Sequence, residues 1–191
     1  MLRILLIDDT QNKLGRLKAA LREAGFEVIE APDLTIDLPA CVESVRPDVV
    51  LIDTDSPDRD VMEQVVLVSR DQPRPIVLFT DEHDPGVMRQ AIQAGVSAYI
   101  VEGIHAARLQ PILDVAMARF ESDQALKAQL LARDQQLAER KRIEQAKGLL
   151  MTMKDCNEEQ AYTLMRRQAM SRQQKLIQVA DQIIAMHEML G

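Results

Sequence analysis

The chain has 191 residues, of which 47% are hydrophobic, so it can bury one core of ordinary size and a second, smaller one. Its cysteines, Cys41 and Cys156, and its histidines, His83, His105 and His187, lie far apart, which argues against a disulfide framework and a zinc site. The first apolar run is too short for a signal peptide, and no later run is long enough to cross a membrane. We therefore expect a cytoplasmic protein that does not enter the membrane.

The net charge of −7 is unevenly distributed. Residues 1–120 carry a net charge of −8, whereas residues 121–191 carry +1. Within residues 139–176, nine basic side chains stand against five acidic ones. An acidic first part and a locally basic last part indicate two separate functions.

Five short apolar runs alternate with amphipathic segments up to residue 104. The runs lie at 4–7, 28–29, 49–52, 76–79 and 98–101, and the helical segments between them include 12–24, 60–70 and 85–94, with Gly25 and Gly95 as helix stops. Strands that alternate with helices form a parallel sheet covered on both faces. The sequence thus predicts an α/β domain over residues 1–120, a doubly wound (βα)5 parallel sheet.

One long helix is predicted from residue 106 to about residue 153. Only Pro111 could interrupt it, and this proline falls near the start, where it is tolerated. A partial heptad-like stripe is formed by Leu126, Leu130 and Leu137. Residues 121–138 are therefore assigned to a helical linker, which is either a dimerising coiled coil or a solvated connector with an apolar edge.

Two cap-like pairs divide the last part of the chain. Asn157 with Gln160, and Ser171 with Gln174, each resemble an N-cap and its reciprocal partner three residues on. They predict a helix ending near residue 153, a second over about 158–169 and a third over about 172–189. A small shared core is predicted from helical spacing: Ile143, Ala146, Leu150, Met153, Ala161, Leu164, Met165, Leu176, Val179, Ala180, Ile183 and Ile184. Residues 139–191 are thus expected to form a three-helix domain.

Polar side chains follow three of the predicted strands. Asp8 and Asp9 end the first strand, Asp53 ends the third and Thr80 ends the fourth. Because the carboxyl ends of parallel strands meet at one edge, Asp8, Asp9 and Asp53 could hold Mg²⁺, and one carboxylate could accept a phosphoryl group. The alternative is that acidic residues merely cap the loops after the strands. Three of them at matching strand ends, with a hydroxyl, favour a real or vestigial site.

The pattern is completed by Pro57, four residues after Asp53, and by Tyr99 on the fifth predicted strand. With these residues, the first 120 or so positions resemble the receiver domain of two-component response regulators. The resemblance implies that Asp53 occupies the phosphoacceptor position. It also implies that Thr80 and Tyr99 occupy the switch positions.

Glu102 departs from the receiver pattern. Receivers carry a lysine after the fifth strand, usually followed by proline, whereas this chain has Glu102 followed by Gly103. A glutamate here adds negative charge to a site with three carboxylates, and Asp55 lies close by in the sequence. Because like charges disfavour a phosphorylated state, we expect control by a bound protein rather than by phosphorylation of Asp53.

An enzymatic interpretation rests on Asp53, Thr54 and Asp55. They look like the nucleophile and general-acid pair of haloacid-dehalogenase-type phosphatases. That family places its pair on the first strand and needs a suitable lysine and distal acids afterwards. Neither condition is met, so no catalytic residue and no enzymatic activity are predicted.

Basic side chains cluster around the two predicted interhelix turns, where they and the amides of a helix N-terminus suit phosphate contacts. The alternative for any one charge run is a solvated face. The RNA-contact candidates are Lys147, Arg166, Arg167, Arg172, Gln174 and Lys175. Tyr162 is the only aromatic residue in this region; it could stack on a base of an RNA loop, but a half-buried place in the small core is favoured.

Four segments of the last part, 146–151, 156–162, 164–170 and 174–176, resemble the ANTAR domain. The resemblance implies a transcription antiterminator that binds paired hairpin loops in nascent leader RNA. Binding would prevent a terminator from forming and so act on RNA polymerase only indirectly. A homodimer would present two basic modules, one for each hairpin.

Segments 52–60, 79–82 and 98–103 resemble the nitrate-assimilation antiterminators of the NasT type. This resemblance implies a nitrate- or nitrite-sensing partner protein that holds the regulator inactive. The rival interpretation is a DNA-binding response regulator controlled by aspartyl phosphorylation, with a helix-turn-helix at the turn near Ser171. The apolar surface of the following helix leaves little face for a DNA groove and disfavours this alternative.

Overall fold

The computed structural model describes residues 1–8, 14–31, 37–101 and 106–190. The chain divides into two compact units, Met1–Gln124 and Ala125–Gly191. None of the described helices is both long enough and apolar enough to span a membrane.

The first unit contains one five-stranded parallel sheet in the order β2-β1-β3-β4-β5. Its strands are β1 (Arg3–Asp8), β2 (Glu27–Glu30), β3 (Val49–Thr54), β4 (Ile76–Thr80) and β5 (Ala98–Val101). The five predicted strands and the parallel doubly wound fold are confirmed. Every residue of β3 and β4 is buried, as expected for central strands covered on both faces.

The helices between the strands are α1 (Leu14–Glu23), α2 (Leu38–Val45), α3 (Arg59–Asp71) and α4 (Pro85–Ala94). The two faces of the sheet are covered by two hydrophobic clusters. One cluster packs against α2 and α3, and the other packs against α1 and the start of the helix that follows β5. The α2 helix was not predicted. Asp37 caps its N-terminus, and it ends at Arg46, whose left-handed backbone (φ 50°) replaces the glycine that usually marks such a stop.

The long helix α5 (Ala106–Lys154) is continuous through Pro111, which stands in its second turn. Helices α6 (Glu158–Ser171) and α7 (Leu176–Leu190) follow it. The cap formed by Asn157 and Gln160 is confirmed, because the side chain of each residue accepts from the backbone amide of the other.

The predicted cap at Ser171 is wrong. Ser171 belongs to the last turn of α6, where its Oγ donates to the carbonyl of Gln168, and α7 begins only at Leu176. The Gln178 side chain accepts from the amide of Lys175 at that start. A turn with Gln173 in a left-handed conformation (φ 53°) separates the two helices.

The core of the second unit is formed by all three helices and centres on Met165, Val179 and Ala180. Most of the predicted core residues belong to it. Three do not: Met153 is 44% exposed, Leu164 is 46% exposed, and Ala161 is fully buried but lies outside this cluster. Ala169 occupies the core instead, one helical turn after Met165.

Candidate functional sites

Asp53 lies near the carboxyl end of the central strand β3, on the side of the sheet where β1 and β4 also end. It is only 3% exposed, and in the sheet register it stands directly opposite Asp8, the last residue of β1. Parallel pairing therefore brings two of the three predicted acidic positions to adjacent strand ends. Asp9 and Glu102 lie outside the described residues.

Thr80 joins the loop after β4 to the loop after β3. Its buried hydroxyl donates to the carbonyl oxygen of Asp55 at 2.9 Å and accepts from the amide of Glu82 at 3.1 Å. Ser56 adds a longer hydrogen bond, from its Oγ to Glu82 Oε2 at 3.4 Å. The predicted switch hydroxyl is thus engaged by the loop backbone on both sides.

Tyr99 reaches the same loop from β5. Its hydroxyl donates to the carbonyl oxygen of Glu82 at 3.1 Å, and its ring is half-buried. Burial raises the pKa of this phenol above its ordinary value, and the nearby charge of Glu82 adds to the effect. Thr80 and Tyr99 therefore both form a hydrogen bond with the backbone of Glu82, and their switch role stays a prediction.

Metal binding at this edge was predicted through Asp8, Asp9 and Asp53. Within the part of the chain that the structure describes, no group of three or more histidine, cysteine or acidic residues could hold a metal ion. Because Asp9 lies outside that part, the predicted set of three carboxylates is not tested.

Lys147 does not fit the role of an RNA contact. It is 7% exposed, and its Nζ lies 2.7 Å from Glu158 Oε1 and 2.8 Å from Glu144 Oε2. Both carboxylates raise the pKa of this ammonium group, and the hydrogen bond to Glu144 has the largest effect. Its charge is thus used within the second unit, where it joins α5 to the first turn of α6.

The N-terminus of α6 is also unsuited to phosphate, contrary to the expectation for these turns. Its first turn carries Glu158 and Glu159, and the backbone amide of Gln160 already donates a hydrogen bond to Asn157 Oδ1. The positive end of the helix dipole stabilises these negative charges, and the charges would repel a phosphate group.

The remaining basic candidates do form an exposed set. Arg166, Arg167, Arg172 and Lys175 are all exposed, and among the described residues none of their side chains pairs with a carboxylate. They lie along the second half of α6 and in the turn to α7. This set, which we call the basic patch, places four exposed cations around the end of α6 and the turn to α7.

Gln182 is a residue of this region that the sequence did not single out. Its side chain accepts from Arg172 and donates to Gln174, both at 3.4 Å. One residue of α7 thereby holds two of the predicted contact residues in the α6–α7 turn. Because Gln182 lies eight or more positions away from them, no local sequence signal could have revealed the contact.

Tyr162 was expected to be half-buried in the core; it is more than half buried, but its predicted place in the core is wrong. The residue is 42% exposed and is not part of the core of the second unit. The core side of α6 is occupied by the smaller Ala161 and by Met165.

The strand order, the acidic strand ends and the paired threonine and tyrosine define a receiver domain. The Response regulator receiver domain family matches residues 4–114, and the chain belongs to this family. The ANTAR domain matches residues 132–184. The protein is therefore a response regulator that contains an ANTAR domain.

One relative is similar along most of the chain, and solved receiver domains are similar to its first part. The transcriptional regulatory protein PdtaR of Mycobacterium tuberculosis is 29% identical over 182 residues, covering 95% of this chain and 89% of the relative. The receiver domain of the sensor histidine kinase PA1611 from Pseudomonas aeruginosa PAO1, solved with a magnesium ion coordinated in its active-site cleft, is 25% identical with a TM-score of 0.53. That match covers 61% of this chain and 98% of the receiver.

A further structural likeness concerns the fold alone. The signal receiver domain of a modulated diguanylate cyclase from Desulfovibrio desulfuricans G20 is 18% identical, with a TM-score of 0.56. It covers 64% of this chain and 98% of that receiver.

Proposed function

We propose that this protein is a signal-controlled transcription antiterminator that binds paired hairpin loops in nascent leader RNA. The observation that carries the proposal is the basic patch, which concentrates exposed positive charge on an ANTAR-containing unit of an otherwise acidic protein. Phosphate contacts from arginine and lysine supply the sequence-independent part of RNA affinity. The protein acts by binding and catalyses no reaction.

The proposed RNA contacts are Arg166, Arg167, Arg172, Gln174 and Lys175. The arginines offer planar donors that can contact phosphates or the edges of unpaired bases. Lys147 is left out because its ammonium group is held by two carboxylates.

The receiver domain is proposed to control the RNA-binding unit through a partner protein, a sensor of nitrate or nitrite that inhibits the regulator. Glu102 supports control by a partner over control by a phosphoryl group, because it stands where receivers have a lysine. Incubation with acetyl phosphate should leave Asp53 unmodified by intact-mass spectrometry. Stoichiometric labelling of Asp53 would instead favour control by phosphorylation.

A magnesium ion would be held by Asp8, Asp9 and Asp53. Carboxylates at the ends of neighbouring strands are the hard oxygen ligands that this ion prefers, and Asp8 and Asp53 stand opposite each other in the sheet. The bound ion would supply positive charge to an edge rich in carboxylates.

The active form is proposed to be a homodimer, with one RNA-binding unit for each hairpin. Leu126, Leu130 and Leu137 are each more than half exposed and lie within about 40° of one another around α5, so they form one exposed apolar row. A pairing of two α5 helices would cover them.

The test is RNA binding by the full chain. A pool of RNAs with two stem-loops and randomised loop sequences is selected for binding to the wild-type protein. The affinity of the selected RNAs is then compared with that of one-hairpin RNA and duplex DNA by gel shift. The Arg166→Ala and Arg167→Ala variants should weaken binding, and each should reduce the slope of log affinity against log salt by about one.

The matched control is Arg70→Ala, because Arg70 is an exposed arginine of the first unit that pairs with Asp71. This variant should bind RNA like the wild type. Preference for duplex DNA over every RNA would reject the proposal in favour of the DNA-binding alternative. Failure to enrich any RNA would reject the hairpin-binding function itself.

A further inference from the structure

Three residues with different chemistry form an exposed stripe along α6. Tyr162, Arg166 and Met170 are spaced four residues apart, which places them on one face of the helix. Tyr162 is 42% exposed, Met170 is 71% exposed and Arg166 is also exposed. We call this set the aromatic stripe.

The stripe is exposed because another face of α6 carries the core contacts. Ala161, Met165 and Ala169 repeat at the same four-residue spacing and are at most 7% exposed. Each stripe residue follows one of these core residues by one position, so it points about 100° away around the helix. The tyrosine ring is therefore not required to fill the core.

Single exposed apolar side chains are common on protein surfaces, so the exposure of Tyr162 and Met170 does not by itself identify a ligand. The charge around the stripe indicates the kind of surface that would cover it. Arg166 and its neighbour Arg167 pair with no carboxylate among the described residues, whereas the acidic Glu158 at the start of the helix is already bound to Lys147. An exposed aromatic ring one turn from available guanidinium groups favours a ligand that is both flat and anionic. An unpaired nucleotide has both properties.

We propose that the ring of Tyr162 stacks on one unpaired base of an RNA loop, with Arg166 beside it. The inference rests on the proposed RNA-binding function and deepens it, because the basic patch explains contacts to phosphates and base edges but supplies no aromatic ring on which a base could stack. Glu159 lies exposed one turn before Tyr162 and disfavours phosphate there. The RNA backbone therefore leaves the stacked base toward Arg166, Arg167 and the α6–α7 turn.

The experiment combines protein variants with base deletions in the RNA. An RNA with two stem-loops, enriched on the wild-type protein, is synthesised with an abasic site at each loop position in turn. Its affinity is measured by fluorescence anisotropy for the wild type, Tyr162→Phe and Tyr162→Leu. The phenylalanine variant keeps the ring, whereas the leucine variant keeps apolar bulk without a π-face.

Tyr162→Phe should bind within about twofold of the wild type, and Tyr162→Leu should bind about tenfold or more weakly. One abasic position should cause the same loss in the wild type and no further loss in Tyr162→Leu, since both changes remove the same contact. 2-Aminopurine placed at that position should lose fluorescence on binding the wild type but not on binding Tyr162→Leu.

Equal RNA affinity of Tyr162→Leu and the wild type would overturn the inference while leaving the RNA-binding function intact. Losses that add at every abasic position would also overturn it. A change in oligomeric state of Tyr162→Leu, with normal affinity per subunit, would assign the ring to a protein interface instead. If the wild type binds no RNA, the proposed function fails and this inference fails with it. Circular dichroism melting of both variants establishes that they are folded.

Discussion

Lys147 and Glu158 join two helices through an ion pair of 2.7 Å between Nζ and Oε1. The two residues are eleven positions apart and lie on either side of the turn between α5 and α6. The same ammonium group contacts Glu144 on its own helix at 2.8 Å. A basic residue that looks available for RNA in the sequence is thus part of the internal structure of the second unit.

Replacement of Lys147 by alanine should therefore lower the stability of the second unit. The substitution leaves two carboxylates close together without their common cation and removes the buried stem of the lysine side chain. The expected result is a lower melting temperature by circular dichroism, with RNA affinity retained at temperatures where the variant is folded. Lys141→Ala, which removes an exposed lysine of the same helix, should melt like the wild type. Normal melting of Lys147→Ala together with lost RNA binding would return this lysine to the contact set.

The Lys147–Glu158 pair should also make stability depend on pH. Lys147 holds the pKa of Glu158 below its ordinary value of 4.5, because the hydrogen bond and the positive charge both favour the carboxylate. Glu158 thus stabilises the folded state at pH values above 4.5, and this stabilisation is lost as the pH falls through the lowered pKa. The wild type should be more stable than Glu158→Gln at pH 7, and the difference should shrink below pH 4.5. Urea denaturation of both proteins across this range measures it, and a difference that grows on acidification would contradict the assignment.

The two predicted caps should differ in their effect on stability. Asn157→Ala removes an acceptor for the amide of Gln160 and should cost about 1 kcal/mol of unfolding free energy. Ser171→Ala removes only a hydrogen bond to a carbonyl within the last turn of α6 and should change the free energy by less than about 0.5 kcal/mol. The measurement is urea denaturation followed by circular dichroism. A larger loss in Ser171→Ala than in Asn157→Ala would show that the cap assignment is reversed.

Alanine substitutions at Gly95 and Gly25 separate the cost of a steric clash from the cost of backbone strain. Both have left-handed backbones, with φ of 114° and 86°, so alanine at either position should cost about 1 kcal/mol or more. A Cβ at Gly95 would also lie 2.2 Å from Ser69 Oγ, whereas a Cβ at Gly25 would meet nothing within 4 Å. Gly95→Ala should therefore be clearly less stable than Gly25→Ala in thermal melts. Equal losses would mean that the helix carrying Ser69 can move away without cost.

Local signals account for what the sequence predicted well. Helix α4 has the predicted bounds because Asp84 caps its start, Pro85 occupies its first position and Gly95 ends it. The central strands were clear because β3 and β4 are apolar along most of their length and are bounded by aspartate or proline. The acidic strand edge followed from the parallel topology, which brings Asp8 opposite Asp53.

The errors concern residues whose roles depend on distant partners. The role of Lys147 depends on its ion pair with Glu158 across a turn. The exposure of Tyr162 depends on which face of α6 packs against the other two helices. Ser171 has the sequence of a cap, but α6 extends as far as this residue because the core contact of Ala169 keeps the last turn packed. Charge, aromatic character and capping preference are properties of single residues, whereas burial is decided by the packing of all three helices.

The opposed positions of Asp8 and Asp53 have a consequence for how such a protein can evolve. Their proximity is set by backbone hydrogen bonds between two central strands, and not by the side chains of the loops around them. Substitutions in the loop after β5 can therefore alter the charge of this edge while the sheet stays unchanged. The charge at these strand ends and the position of Asp53 are therefore separable features of the fold, since only the second depends on the pairing of β1 with β3.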